Sequence, residues 1–198
     1  MTTTRVSQEQ RTRAMRQRLL EATVDCLVER GYAGTSTTLV SERAGVSRGA
    51  QLHHFPTKHD LVLAAVEHLT VLRGRDLREA AAALPHGRQR LRAALRMLAD
   101  HFTSPVFNAA LELWVAARSD AELRAAVAPL ERRVGREAHR LTVEALDIDE
   151  SLPGNRELVQ ATLDLVRGLG LANTISDDSA RRKRILDRWA AVLESELA

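Results

Sequence analysis

The side chains that most often do chemistry are sparse in this chain of 198 residues. His53 and His54 are adjacent, His59 follows, and imidazole is the commonest metal ligand. Neighbours on a helix point about 100° apart, though, and a metal site needs further convergent ligands. The single cysteine, Cys26, cannot build a Cys/His cluster or an intramolecular disulfide, and it lies inside an amphipathic run, where a thiol packs as a small hydrophobe. Nor is there a Gly-rich phosphate loop, a Ser/His/Asp set or a pair of carboxylates that would share a cleft. The expectation is therefore no metal, no cofactor and no catalysis.

Basic side chains make a different pattern. Residues 1–58 carry nine basic groups (Arg5, Arg11, Arg13, Arg16, Arg18, Arg30, Arg43, Arg48, Lys58) against five acidic ones, a net of +4. The remainder holds 20 basic and 21 acidic groups. Such asymmetry fits a polyanion-binding N-terminal part joined to a neutral body, or else a solvated basic tail.

These charges need elements to position them. Hydrophobic residues are 44%, charged residues 28% and aromatics only 3% of the chain, and Ala, Leu, Arg and Glu dominate, so the expected fold class is all-α. No window approaches eighteen apolar residues and the N-terminus lacks an apolar signal region, so a cytoplasmic protein with no membrane partner is expected. Leu20, Val24, Leu27 and Val28 form the stripe of a first helix that Gly31 should end. Thr35, Ser36 and Thr37 precede a short helix that stops at Gly45. Ser47 can cap a second short helix from Arg48 to about Phe55, which Pro56 ends. Two such helices joined at Ala44-Gly45-Val46-Ser47 meet the requirements of a helix-turn-helix, with a glycine at the reversal, an apolar residue in the angle and a cap to restart. Thr57 caps a long helix that runs to Pro85-His86-Gly87, with Gly74 as a weak point. Helices of ordinary period follow, one of them kinked or interrupted at Pro129, and Asp147 to Asn155 reads as a loop.

The run Leu19-Leu20-Glu21-Ala22, then Gly31-Tyr32, Thr35-Ser36, Ala44-Gly45-Val46-Ser47-Arg48-Gly49 and His53-His54-Phe55-Pro56-Thr57-Lys58, resembles the DNA-binding domain of TetR/AcrR-family transcriptional regulators. The resemblance covers about residues 14–63. It implies a helix-turn-helix domain over 1–60, with a basic tail at 1–8, and a helical regulatory and dimerisation domain over 61–198. It implies a homodimer on double-stranded DNA, acting as a repressor that a small, fairly apolar effector releases; an effector-independent DNA-bound protein of the same fold is the alternative. The positions it assigns to DNA are Thr37, Thr38, Ser47, Arg48, Gly49, Ala50, Leu52, His53, His54 and Lys58. Arg48 can lay its planar fork on guanine O6 and N7, Gly49 and Ala50 let the helix approach base edges, and Lys58 and the threonines suit phosphate. Gln51-Leu52 stands where the family commonly has Leu-Tyr; Gln51 either bonds a neighbour or reaches a base, and Leu52 packs on the domain core or the sugar backbone. His53 and His54 also fit plain surface or core packing.

In the body, Met97, His101, Phe102, Phe107, Asn108, Leu111, Trp114 and Leu165 are the candidates for a pocket lining, with His101, Asn108 and Glu112 as polar handles; plain core is the competing reading. Leu158, Leu165, Gly168, Leu169, Ala172, Ile185, Trp189 and Val192 are candidates for the dimer face. Gly168 and Gly170 each weaken a helix by about 1 kcal/mol relative to alanine, which close approach of a partner helix would offset.

Overall fold

Short-range capping chemistry sets most of the helix ends. The computed structural model describes residues 8–197, the Arg88 side chain aside; the expected basic tail at 1–8 lies outside them except for Gln8. The described residues form nine α-helices and no strand: α1 (Gln8–Gly34), α2 (Thr37–Ala44), α3 (Arg48–His54), α4 (Lys58–Ala82), α5 (Arg88–Phe102), α6 (Pro105–Ser119), α7 (Ala121–Leu146), α8 (Asn155–Ala172) and α9 (Ser179–Glu196). Ser36, Ser47 and Asp120 accept from the backbone N–H groups of Leu39, Ala50 and Leu123. Such caps satisfy donors that helix starts leave free. Thr57 and Asp60 bond reciprocally at the start of α4, Thr57 Oγ1 accepting from Asp60 N–H and Asp60 Oδ2 from Thr57 N–H.

An expected weak point and an expected kink or interruption both fall inside continuous helices. α4 passes through Gly74, and α7 passes through Pro129 as one helix. Pro129 and Ala125, whose carbonyl loses its partner N–H, both face solvent, where water can take that bond. Gly31 does interrupt α1, with φ 66° and ψ 179°, a backbone that side chains on L residues seldom adopt.

The chain divides into two compact units. The first comprises Met1–Val71 and Ala109–Ala128. Its core gathers Leu19, Leu20, Ala22 and Cys26 of α1, Val40 and Ala44 of α2, Phe55, and Leu61 and Ala65 of α4, with Leu39 and Val46 packed against it. Burying one such leucine contributes about 1.5–3 kcal/mol, so this cluster seats α2 and α3 firmly. The second unit comprises Leu72–Asn108 and Pro129–Ala198. There α5 packs on α8 and α9, burying Leu95, Leu98, Leu163, Val166, Leu186 and Leu193. Gly170 permits close approach, but to its own chain: a Cβ added there would stand 2.1 Å from the Phe102 carbonyl oxygen. The neighbour that offsets this glycine is thus α5, where a partner helix was expected, while the space beside Gly168 is open.

Candidate nucleic-acid interface

The turn between α2 and α3 is built on Gly45. Its φ of 61° and ψ of 41° place it in the left-handed region, its N–H donates to Glu42 O, and Val46 N–H donates to Ser41 O at 3.0 Å. Ser47 then restarts the chain as the cap of α3. This seven-residue helix is about 10 Å long and two-faced. Arg48, Gly49, Leu52 and His53 are exposed, while Gln51 and the C-cap Phe55 are buried.

Arg48 forms no ion pair with any described residue, and a Cβ at Gly49 would meet nothing within 4 Å. The outer face of α3 is therefore a guanidinium unpaired among the described residues beside bare backbone. Leu52 is 43% exposed, so it does not sit in the domain core. Gln51 is fully buried and donates from Nε2 to Phe55 O at 2.6 Å, the first of the two roles open to it; its Oε1 is buried without a partner among the described residues. Half-buried Thr37 and Ala50 and exposed Thr38 and Ser47 lie at the starts of α2 and α3, and half-buried His54 closes α3 with its ring 5.5 Å from that of His53.

The family model described as "Bacterial regulatory proteins, tetR family" matches residues 19–65, the same stretch that carries this geometry. The transcriptional regulator Rv2912c of Mycobacterium tuberculosis H37Rv is 31% identical over 91% of this chain and 88% of its own length. CymR of Pseudomonas putida is 32% identical over 93% of this chain and 92% of its own. The chain belongs to the TetR family of transcriptional regulators. A crystal structure of a proposed transcriptional regulator from Pseudomonas aeruginosa PAO1 superposes with a TM-score of 0.71 at 27% identity, covering 96% of this chain and 93% of that one. No described helix is long and apolar enough to cross a membrane.

α4 follows α3, and Lys58 at its start is turned inward. Its Nζ donates to Tyr32 O at 2.6 Å and lies 4.1 Å from the centre of the Tyr32 ring, and burial pulls the ammonium below the usual lysine pKa. The residue expected to face phosphate is thus tied to the end of α1. Tyr32 is held from a second side. Glu112 of α6 accepts from Tyr32 N–H at 3.0 Å, and His59 Nε2 meets Asp120 Oδ2 at 3.3 Å. Glu112, expected as a handle in a pocket, instead anchors the break after Gly31. Sequence reading missed this cluster; the Gly31-Tyr32 pair was its visible half, while Glu112 and Asp120 lie far along the chain.

The expected pocket residues divide between the two units. Leu111 and Trp114 are half-buried in the first, and Met97, His101, Asn108 and Leu165 half-buried in the second. Phe102 and Phe107 are buried in the second unit and interlock edge to face, with ring centroids 5.3 Å apart. Among the dimer candidates, Leu165, Ile185, Trp189 and Val192 line one open apolar groove of about 330 Å3 on α8 and α9, flanked by Arg181, Arg184 and Arg188. Trp189 Nε1 donates to Thr162 Oγ1 at 2.9 Å, which fixes the ring at this groove. Leu158 and Ala172 are half-buried and Gly168 is exposed. Leu169 is 4% exposed.

Proposed function

We propose that this TetR-family regulator is a one-component repressor: a homodimer that grips a near-palindromic operator through two copies of α3 and is released by a small, fairly apolar effector. The observation that carries the reading is the open outer face of α3, with Arg48 unpaired among the described residues and Gly49 bare. A guanidinium fork there suits guanine O6 and N7, and Gly49 and Ala50 let the rod approach the base edges, with Leu52, His53 and His54 further along it. Ser47, Thr37, Thr38 and the remaining donors of Lys58 would hold phosphate.

The domain assignment follows: DNA reading over 1–60, regulation and dimerisation over 61–198. A two-fold pair of readers about 34–36 Å apart would enter successive major grooves. The groove of Leu165, Ile185, Trp189 and Val192 supports self-association, because a second copy would take that apolar surface out of water. For release, an effector must favour a state with a different reader spacing. Half-buried Met97 and His101, the imidazole kept neutral by burial, supply apolar lining with one polar handle. The edge-to-face packing of Phe102 on Phe107 in the second unit is the observation in favour of the effector-independent alternative.

Selection of duplexes from a random pool by the purified protein tests the reading. It predicts enrichment of an inverted repeat with half-sites one helical turn apart, bound by two chains. Failure to enrich any sequence, or enrichment of a single unrepeated site bound by one chain, would contradict it.

A further inference from the structure

The first helix is electrically polarised. Over residues 8–18 it carries Arg11, Arg13, Arg16 and Arg18 against Glu9 alone; over 19–34 it carries Arg30 against Glu21, Asp25 and Glu29. Glu9 answers Arg13 at 2.5 Å. Arg11, Arg16 and Arg18 form no ion pair with any described residue, and the residues before Gln8 contain no Asp or Glu. Toward the other end of α1 the situation is reversed, since Glu29 already neutralises Arg43 of α2 at 2.7 Å.

Two of the unpaired cations stand on the frame of the reader. The Arg16 guanidinium lies 5.3 Å from the centre of the ring of Phe55, the C-cap of α3. Arg18 Nη1 is the atom nearest to where a Cβ on Gly45 would stand, 3.9 Å away, at the turn that leads into α3. One guanidinium thus flanks the entry to the reader and one its exit. Duplex DNA carries a phosphate about every 3.4 Å of axis on each strand, so a rod of about 10 Å set in the major groove has phosphates beside both its ends. Guanidinium is weakly hydrated, permanently charged and shaped for bidentate phosphate contact.

We propose that Arg16 and Arg18 form a phosphate-binding surface for duplex DNA, two clamps on α1 that seat α3 without reading sequence. The proposal rests on α3 being the DNA reader. It gives a purpose to charges that no described carboxylate compensates, and it extends the interface to a helix outside the helix-turn-helix.

The test is the salt dependence of binding, measured by fluorescence anisotropy on a selected operator and on a scrambled duplex, for the wild type and for Arg16→Gln, Arg18→Gln, Arg16→Lys and Arg18→Lys. Each phosphate contact contributes about −0.9 to the slope of log K against log salt. Each Gln variant is therefore expected to flatten the slope by roughly 0.9 on both duplexes, leaving the ratio of the two affinities intact, while the Lys variants keep the slope. Weaker binding with an unchanged slope in the Gln variants would overturn the proposal and make the pair packing residues of Phe55 and Gly45. Arg18→Gln, free of the Phe55 contact, supplies the result if Arg16→Gln loses fold. A wild type that ignores both duplexes at low salt overturns the DNA-reading assignment itself, an outcome separate from wild-type binding with unaltered variant slopes.

Discussion

The carboxylate of Glu112 accepts the backbone N–H of Tyr32 at 3.0 Å, joining positions 80 residues apart in the sequence. It does so where Gly31 has broken the first helix, and a side chain on Gly31 would collide with it, the added Cβ standing 2.6 Å from Oε2. Tyr32 in turn supports Lys58 through its carbonyl and its ring. The end of α1, the start of α4 and the middle of α6 are therefore one braced corner of the unit that holds α3.

Glu112→Ala should loosen that corner. Removing a charge-assisted hydrogen bond at a partly exposed site is expected to cost about 1 kcal/mol in chemical denaturation. If α3 is the DNA-reading helix, affinity should fall on matched and scrambled duplexes alike, because the substitution changes how α3 is held and leaves its outer-face groups intact. Unchanged stability and affinity would show that the bond is dispensable.

Gln51 and Arg48 occupy opposite faces of the same short helix, and their substitutions should separate stability from recognition. Gln51→Ala opens a cavity and leaves the Phe55 carbonyl without its donor, so a loss of about 2–4 kcal/mol is expected. Arg48→Ala removes a solvent-facing side chain, and its stability should stay within about 0.5 kcal/mol of the wild type. Thermal melts of the two variants check this, and equal losses would mean that the inner and outer faces are misassigned.

The His101 imidazole is held below its usual value of 6.5, first by burial and then by the nearby Arg73 charge. With a depressed folded pKa, the unfolded chain binds the extra proton first. Its contribution to stability is therefore full above 6.5 and is lost as pH falls toward the folded value. Between about pH 7.5 and 5.5 the melting temperature of the wild type should drop more than that of His101→Gln. Glu137, Asp149 and Asp177, each lowered by hydrogen bonds, add acid losses common to both proteins. Parallel curves would contradict the assignment.

What could be read from the sequence was local. Ser36, Gly45, Ser47 and the Thr57–Asp60 pair act over three or four residues, so the helix-turn-helix was visible without coordinates, as were the loop before Asn155 and the two closing helices. Contacts across long separations were not. Lys58 stands at a helix start, and nothing local in the sequence says that its ammonium also donates to a carbonyl 26 residues earlier. Gly170 signals close approach, but nothing nearby in sequence says that the Phe102 carbonyl is the neighbour. Phe102, Phe107 and Leu169 are buried, and core, pocket and interface residues share the same helical spacing, so spacing alone does not assign their use. Pro129 leaves α7 uninterrupted, and its cost depends on whether the orphaned carbonyl can reach solvent, which spacing alone does not reveal.

The most direct measurement compares wild type and Arg48→Ala on a selected operator and on duplexes with single substitutions at each guanine of a half-site. If Arg48 reads a base, the wild type should lose about 1–3 kcal/mol at one guanine, and the variant should bind every duplex with nearly the same affinity at that position. A variant that still discriminates at every guanine as the wild type does would remove Arg48 from recognition and, with it, the assignment of the outer face of α3 as the surface that reads DNA.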